Sequence, residues 1–182
     1  MKIYLAGPEV FLPDADTIGE RKKALCSHYG FEGLFPLDTQ IAEQRSARDT
    51  GLMISEANET LIREADMVIA NLTPFRGASA DVGTVYELGL ARGMGKTIHG
   101  YSNDPTPYTL RVLDHCGAAS ADQTAGELRD ADGYKIEEFE LHDNLMIDGG
   151  ILHSGGQFLL AQKKAAIEST AAFEEVLIRL SR

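Results

Sequence analysis

Two carboxylates, Asp81 and Glu87, stand six residues apart in Arg76-Gly-Ala-Ser-Ala-Asp-Val-Gly-Thr-Val-Tyr-Glu-Leu-Gly-Leu-Ala-Arg-Gly93. The segment opens with a Gly and Ser turn and continues at helical spacing. An acid flanked by Tyr86 and Leu88 does not read as a solvated surface charge. It reads as an active-site acid. An unpaired carboxylate is costly to bury, so Glu87 either serves chemistry or pairs with an arginine in the core. In a regular helix, residues six apart differ by about 240° and about 9 Å along the axis, so the two acids would not share a face. Asp81 is therefore expected in the first turn or the preceding loop, where an Asp also serves as a helix N-cap.

The surrounding pattern says what must hold these residues. The apolar run Asp66-Met-Val-Ile-Ala-Asn-Leu72 reads as a buried strand passing into a helix over about 79–94. Lys2–Ala6 is a second strand, ending in Gly7-Pro8, and a helix pattern spans about 14–29 before Gly30. Residues 31–37 read as a strand, 39–50 as a loop, 53–65 as a helix and 95–101 as a short strand. This alternation implies βαβ units and a parallel sheet, in which ligands bind at the edge where strands pass into helices. Residues 102–135 read as an excursion that is partly loop, 133–139 as a small added strand, and about 155–182 as one final helix.

Bulk properties narrow the function. A chain of 182 residues, 43% hydrophobic and free of low-complexity tracts, suits one domain with an ordinary core. Its net charge of −11 would repel nucleic acid and anionic membranes. No GxxxxGK[ST] loop occurs, and Gly83-Thr-Val-Tyr-Glu-Leu-Gly89 does not form the dinucleotide fingerprint. His28, His99, His115, His142 and His153 lack HxxxH or HExxH spacing, and Cys26 and Cys116 lack CxxC spacing. No metal and no cofactor are expected, and both cysteines read as buried free thiols in a reducing compartment. The chain enters a strand at its start, and no apolar run approaches a membrane span, so no signal peptide and a cytoplasmic location are expected.

Four pieces, in order, resemble the nucleoside 2-deoxyribosyltransferases: Lys2-Ile-Tyr-Leu-Ala-Gly-Pro8 with Phe11 after it, Pro36-Leu-Asp-Thr-Gln40, Asp81-Val-Gly-Thr-Val-Tyr-Glu-Leu-Gly-Leu-Ala91, and Asn144-Leu-Met146. The resemblance spans most of residues 2–147 and favours the subset carrying Asn71-Leu-Thr-Pro-Phe-Arg-Gly77. It implies a single-domain, three-layer α/β sandwich around a parallel, flavodoxin- or Rossmann-like sheet of about five strands. It also implies transfer of a 2-deoxyribosyl group between nucleobases with retention and without a metal. Such a reaction runs through a carboxylate nucleophile and a glycosyl-enzyme.

By that resemblance Glu87 is the nucleophile, Tyr4 orients it, and Asp81 binds the deoxyribose hydroxyls with a possible share in proton transfer. Tyr4 reads equally well as a core tyrosine with a satisfied hydroxyl. Gly7 and Gln40 belong to the implied substrate-binding set, Gln40 touching the base. Phe11 is a stacking surface for the base or a core residue. Asn58 stands eight residues before Asp66, where other members carry an aspartate proposed to protonate the leaving base. An amide cannot be that acid, which leaves Asp81, Asp38, water, or nothing beyond the base's own protonation equilibrium. Asn144 and Met146 resemble residues that enter a neighbouring subunit's site, implying a homo-oligomer, at least a dimer, acting on deoxynucleosides and free bases. The alternatives are an N-glycoside hydrolase of (deoxy)nucleoside 5′-monophosphates and a nucleotide-binding module without turnover.

Overall fold

The computed structural model describes residues 1–40, 46–118 and 126–182. Five parallel strands, β1 (Lys2–Ala6), β2 (Glu32–Leu34), β3 (Met67–Asn71), β4 (Thr97–Ser102) and β5 (Phe158–Leu160), form one sheet in the order β2-β1-β3-β4-β5. Among the described residues six α-helices accompany it: α1 (Ala15–His28), α2 (Ala47–Glu64), α3 (Val82–Gly93), α4 (Tyr108–Cys116), α5 (Leu145–His153) and α6 (Ala171–Leu180). The expected three-layer parallel sheet of about five strands is therefore present. Among the described residues, no helix is long and apolar enough to cross a membrane.

Alternation along β1 explains the layers, because successive side chains point to opposite faces. Tyr4 and Ala6 join Val68, Ala70 and Ile98 in a core closed by Ile62 of α2, Leu88 and Ala91 of α3, and Ile147 and Ile151 of α5. Ile3 and Leu5 join Met67, Ile69 and Tyr101 in the opposite core, closed by Cys26 of α1 and by Phe173, Val176 and Leu177 of α6. β3 is buried along its whole length, as a central strand covered on both faces should be.

Several elements differ from the sequence reading, each for a physical reason. The strand expected over 31–37 stops at Leu34, because Pro36 has no N–H for a ladder. Residues 36–38 form a 3-10 turn in which Asp38 Oδ2 accepts from Phe35 N at 2.8 Å. The loop expected over 39–50 lies partly outside the described residues, and α2 already begins at Ala47, capped by the Ser46 hydroxyl, which accepts from Asp49 N. The excursion over 102–135 contains α4. No strand forms over 133–139; a lone antiparallel bridge joins Arg129 to Lys135.

The single helix expected over 155–182 is two elements. Residues 158–160 pair with Gly100, Tyr101 and Ser102 to make β5, and only residues 171–180 are helical. Gly156 permits this, since a Cβ there would sit 1.6 Å from the Ile98 carbonyl oxygen. The segment between them continues past the end of β4, with Ala161 N donating to Ser102 O and Ala165 N to Asn103 O. Of the two cysteines, both free, Cys26 is buried as expected but Cys116, on the last turn of α4, is exposed.

Candidate active site

The strand order reverses between β1 and β3, which stay paired up to Ala6 and Ala70, and the connections that leave them go to opposite faces of the sheet, where a parallel fold opens its ligand crevice. The loops after β1 and β3 and the N-terminus of α3 border it. Gly7 leads out of β1, where any side chain would collide: a Cβ would lie 2.1 Å from Glu9 Oε2 and 2.9 Å from Asn71 Cβ.

Across this region Tyr4, fully buried on β1, donates its hydroxyl to Glu87 Oε1 on α3 at 2.6 Å. Among the described residues no arginine pairs with Glu87. Burial pushes Glu87 up, Tyr4's hydrogen bond pulls it down and the nearby Asp81 charge raises it again, for an outcome of about 7. The Tyr4 hydroxyl is itself pushed far above its ordinary value, by burial first and then by Glu87, so it stays a donor. Glu87 Oε2 takes no protein donor among the described residues.

Asp81 is the N-cap of α3, as its position before a helix foretells. Its Oδ2 accepts from Thr84 N at 3.0 Å and from Thr84 Oγ1 at 3.2 Å. Oδ1 receives no donor among the described residues, so capping uses one oxygen and leaves the other. Sequence periodicity thus places the two acids correctly: one in the helix body, the other ahead of its first turn.

Phe11 is not in the core. It is 52% exposed and stacks on Phe75, centroids 5.4 Å apart and planes 10° apart. The Arg76 guanidinium lies over both rings, 4.8 Å from Phe11 and 4.7 Å from Phe75. Arg76 holds a φ of 55°, a left-handed conformation that costs a side-chain-bearing residue about 1 kcal/mol. Phe75 and Arg76 lie in the motif singled out by sequence, but periodicity offers no sign of the stack.

The remaining expected residues are scattered. Gln40 is exposed just past the 3-10 turn at 36–38. Asn58, half-buried on α2, keeps its Oδ1 buried without a hydrogen-bond partner among the described residues. Asn144 caps α5, its Oδ1 accepting from Met146 N and its Nδ2 donating to Glu137 Oε1 at 2.8 Å. Met146 is 73% exposed and, with Asn144, lines a groove of about 790 Å³ between α3 and α5 rather than the Tyr4–Glu87 region. Among the described residues, no three His, Cys, Asp or Glu side chains gather as a metal would require.

Sequence reading missed a buried polar cluster beneath Gly7. Glu9 and Lys22, each 1% exposed, pair at 2.7 Å; Asn71 Nδ2 and the Tyr101 hydroxyl also donate to Glu9 Oε1, at 2.9 and 3.1 Å. Lys22 sits over the Tyr101 and Phe173 rings. Asn71 in turn donates to Ile167 O and accepts from Thr73, tying the β3 exit to the segment before α6. A helical Lys thirteen residues after a Glu carries no sequence signal of such a pair.

Fold and site together define a single-domain α/β protein in which a carboxylate is hydrogen-bonded by a tyrosine of the strand at the sheet's switch point. The chain belongs to the nucleoside 2-deoxyribosyltransferase family, whose model matches residues 3–146. An uncharacterized protein of Schizosaccharomyces pombe is 33% identical over 165 residues, covering 85% of this chain and 78% of that protein. A 2-deoxyribosyltransferase from Leishmania mexicana superposes with a TM-score of 0.64 at 29% identity, over 97% of both chains. A CMP N-glycosidase of Clostridium botulinum, 15% identical, shares the fold at a TM-score of 0.51 over 99% of this chain and 98% of its own.

Proposed function

We propose that this protein exchanges the nucleobases of 2′-deoxynucleosides by a retaining double displacement through a glycosyl ester on Glu87. The observation that carries the reading is the 2.6 Å Tyr4–Glu87 hydrogen bond at the switch point. Tyr4 holds one carboxylate oxygen, and the other attacks C1′ as the bond from C1′ to the base nitrogen breaks. The bond's electron pair leaves on the base, which takes up a proton. A second base then attacks C1′ from the opposite face, breaks the ester, frees Glu87 and loses its own proton. A value of about 7 leaves an appreciable fraction of Glu87 ionised near neutrality.

Asp81 Oδ1 supports a role at the sugar hydroxyls. Asp81 is also the acid best placed to share in protonating the leaving base, since Asn58 can only hydrogen-bond it. Phe11 and Gln40 are read as base contacts, with Phe75 and Arg76 backing the Phe11 ring, and Gly7 as the close backbone approach to substrate. Asn144 and Met146 are read as reaching a second copy of the chain. The apolar α3–α5 groove, where Val82 is 84% exposed, is the face that such a copy would cover. This metal-free exchange would serve nucleoside salvage in the cytoplasm.

The direct test incubates the protein with a deoxynucleoside, with and without a second free base. The reading expects a new deoxynucleoside only when the second base is present. Release of free deoxyribose at one rate in both cases would replace it with hydrolysis. Trapping with a 2-fluoro-2-deoxynucleoside should add a fluorodeoxyribosyl mass to the peptide containing Glu87. Near wild-type turnover in Glu87→Ala would remove Glu87 as nucleophile.

A further inference from the structure

Asp143 is a fully buried carboxylate that the proposed reaction does not use. Its donors come from three separate segments. The Ser79 hydroxyl donates to Oδ1, and Ala80 N donates to Oδ2 at 3.2 Å. Arg111 Nη2 of α4 donates to Oδ2 at 3.1 Å, and Asn144 N donates to Oδ1 at 2.8 Å. Burial pushes Asp143 above the usual carboxylate value, while Ser79, Asn144, Arg111 and Ala80 all pull it back.

The anchor behind this carboxylate is itself fixed. Arg111 is buried and also donates to His142 O at 2.7 Å. Asp148 of α5 accepts from His142 N at 3.1 Å and from Asp143 N at 2.9 Å. Asp143 is therefore held from α4 and α5 while gripping Ser79 and Ala80, the two residues directly before Asp81. Thr84 holds Asp81 Oδ2 from inside α3, and Asp143 holds the backbone that enters Asp81 from outside it.

We propose that Asp143 is a positioning residue, a strut that acts through Ser79 and Ala80 to fix the Asp81 carboxylate for the sugar. The inference rests on the reading of Asp81 as a sugar ligand. A buried ion pair such as Asp143–Arg111 contributes little net stability but rewards one geometry over others. Misplacing a substrate-positioning group by an ångström costs about a hundredfold in rate.

The test is a double-mutant cycle in base exchange. Asp143→Asn keeps the shape but puts a donor where Ser79 or Ala80 needs an acceptor, so kcat/KM should fall about tenfold to a hundredfold. In the Asp81→Asn background the same change should cost less than about threefold, because the group being positioned is already gone. Ser79→Ala should shift kcat/KM in the same direction by less. Should Asp143→Asn not fold, the cycle of Ser79→Ala with Asp81→Asn decides in its place. Equal fold losses in both backgrounds, or wild-type rates in Asp143→Asn, would overturn the strut while exchange itself stands. If the wild type does not exchange, the same cycle is read on deoxynucleoside affinity by calorimetry. A wild type that neither exchanges nor binds would overturn the strut together with the function it serves.

Discussion

Tyr4, in the middle of a buried strand, and Glu87, in the middle of a helix 83 residues later, share one hydrogen bond of 2.6 Å. Burial drives Glu87 toward its neutral form, and Tyr4 works against that by stabilising the charged one. The outcome, about 7, lies between a surface carboxylate and a group too basic to be ionised in neutral water.

Tyr4→Phe removes the opposing influence, so Glu87 should titrate higher than about 7. A nucleophile must be ionised, so the acid limb of the exchange pH–rate profile should move to higher pH. A hydrogen bond to a charged group contributes about 1.5–3 kcal/mol, so the rate at pH 7 should fall about tenfold to a hundredfold. An acid limb unmoved in Tyr4→Phe would show that Tyr4 does not set the ionisation of Glu87.

The same shift has a consequence for stability. Glu87 binds its proton more tightly folded, at about 7, than unfolded, near 4.5. Between those values the folded state carries the extra proton, so its stability falls as pH rises and the penalty is complete above about 7. Glu87→Gln abolishes the titration. Its Tm should exceed the wild-type Tm at pH 8 and converge with it below pH 4.5; equal Tm differences at both ends would refute the linkage.

Glu9 and Lys22 form a buried pair whose halves depend on one another. Glu9→Ala leaves the Lys22 ammonium buried without its counterion, which should cost about 3–5 kcal/mol, or about 10 °C in Tm. Glu9→Leu with Lys22→Met should recover most of that loss, because two apolar side chains bury no charge. Thermal denaturation of the three variants decides it.

The proposed sharing of sites between two copies predicts complementation. Glu87→Ala and Met146→Ala should each be impaired in exchange, yet co-expressed chains should regain activity. Random pairing in a twofold dimer leaves about a quarter of the sites with both residues intact. Sedimentation should report an oligomer. A monomer, or no recovery on mixing, would return Met146 to its own chain's surface.

The sequence revealed the βαβ core well. The strands at 2–6 and 67–71 are strongly apolar and bounded by turn chemistry, so their place and type follow from pattern alone. The C-terminal third was less legible. Phe158-Leu-Leu160 suits a helix or a strand equally, and it became β5 because Gly156 lets the chain run against β4. Helix α4 hides behind Pro107 in a polar stretch.

Among the site residues, spacing alone separated Asp81 from Glu87, because six residues is not a whole number of helical turns. The pairing of Glu87 with Tyr4, the stack of Phe11 on Phe75, and the grip of Asp143 on Ser79 and Ala80 came from tertiary structure. Each joins segments far apart in sequence, or depends on one χ angle, and local patterns of polarity encode neither. Periodicity reports which way a residue faces within its own element. What it meets there depends on how the elements pack, and only the folded sheet, with β1 and β3 side by side, decided that Tyr4 would meet Glu87.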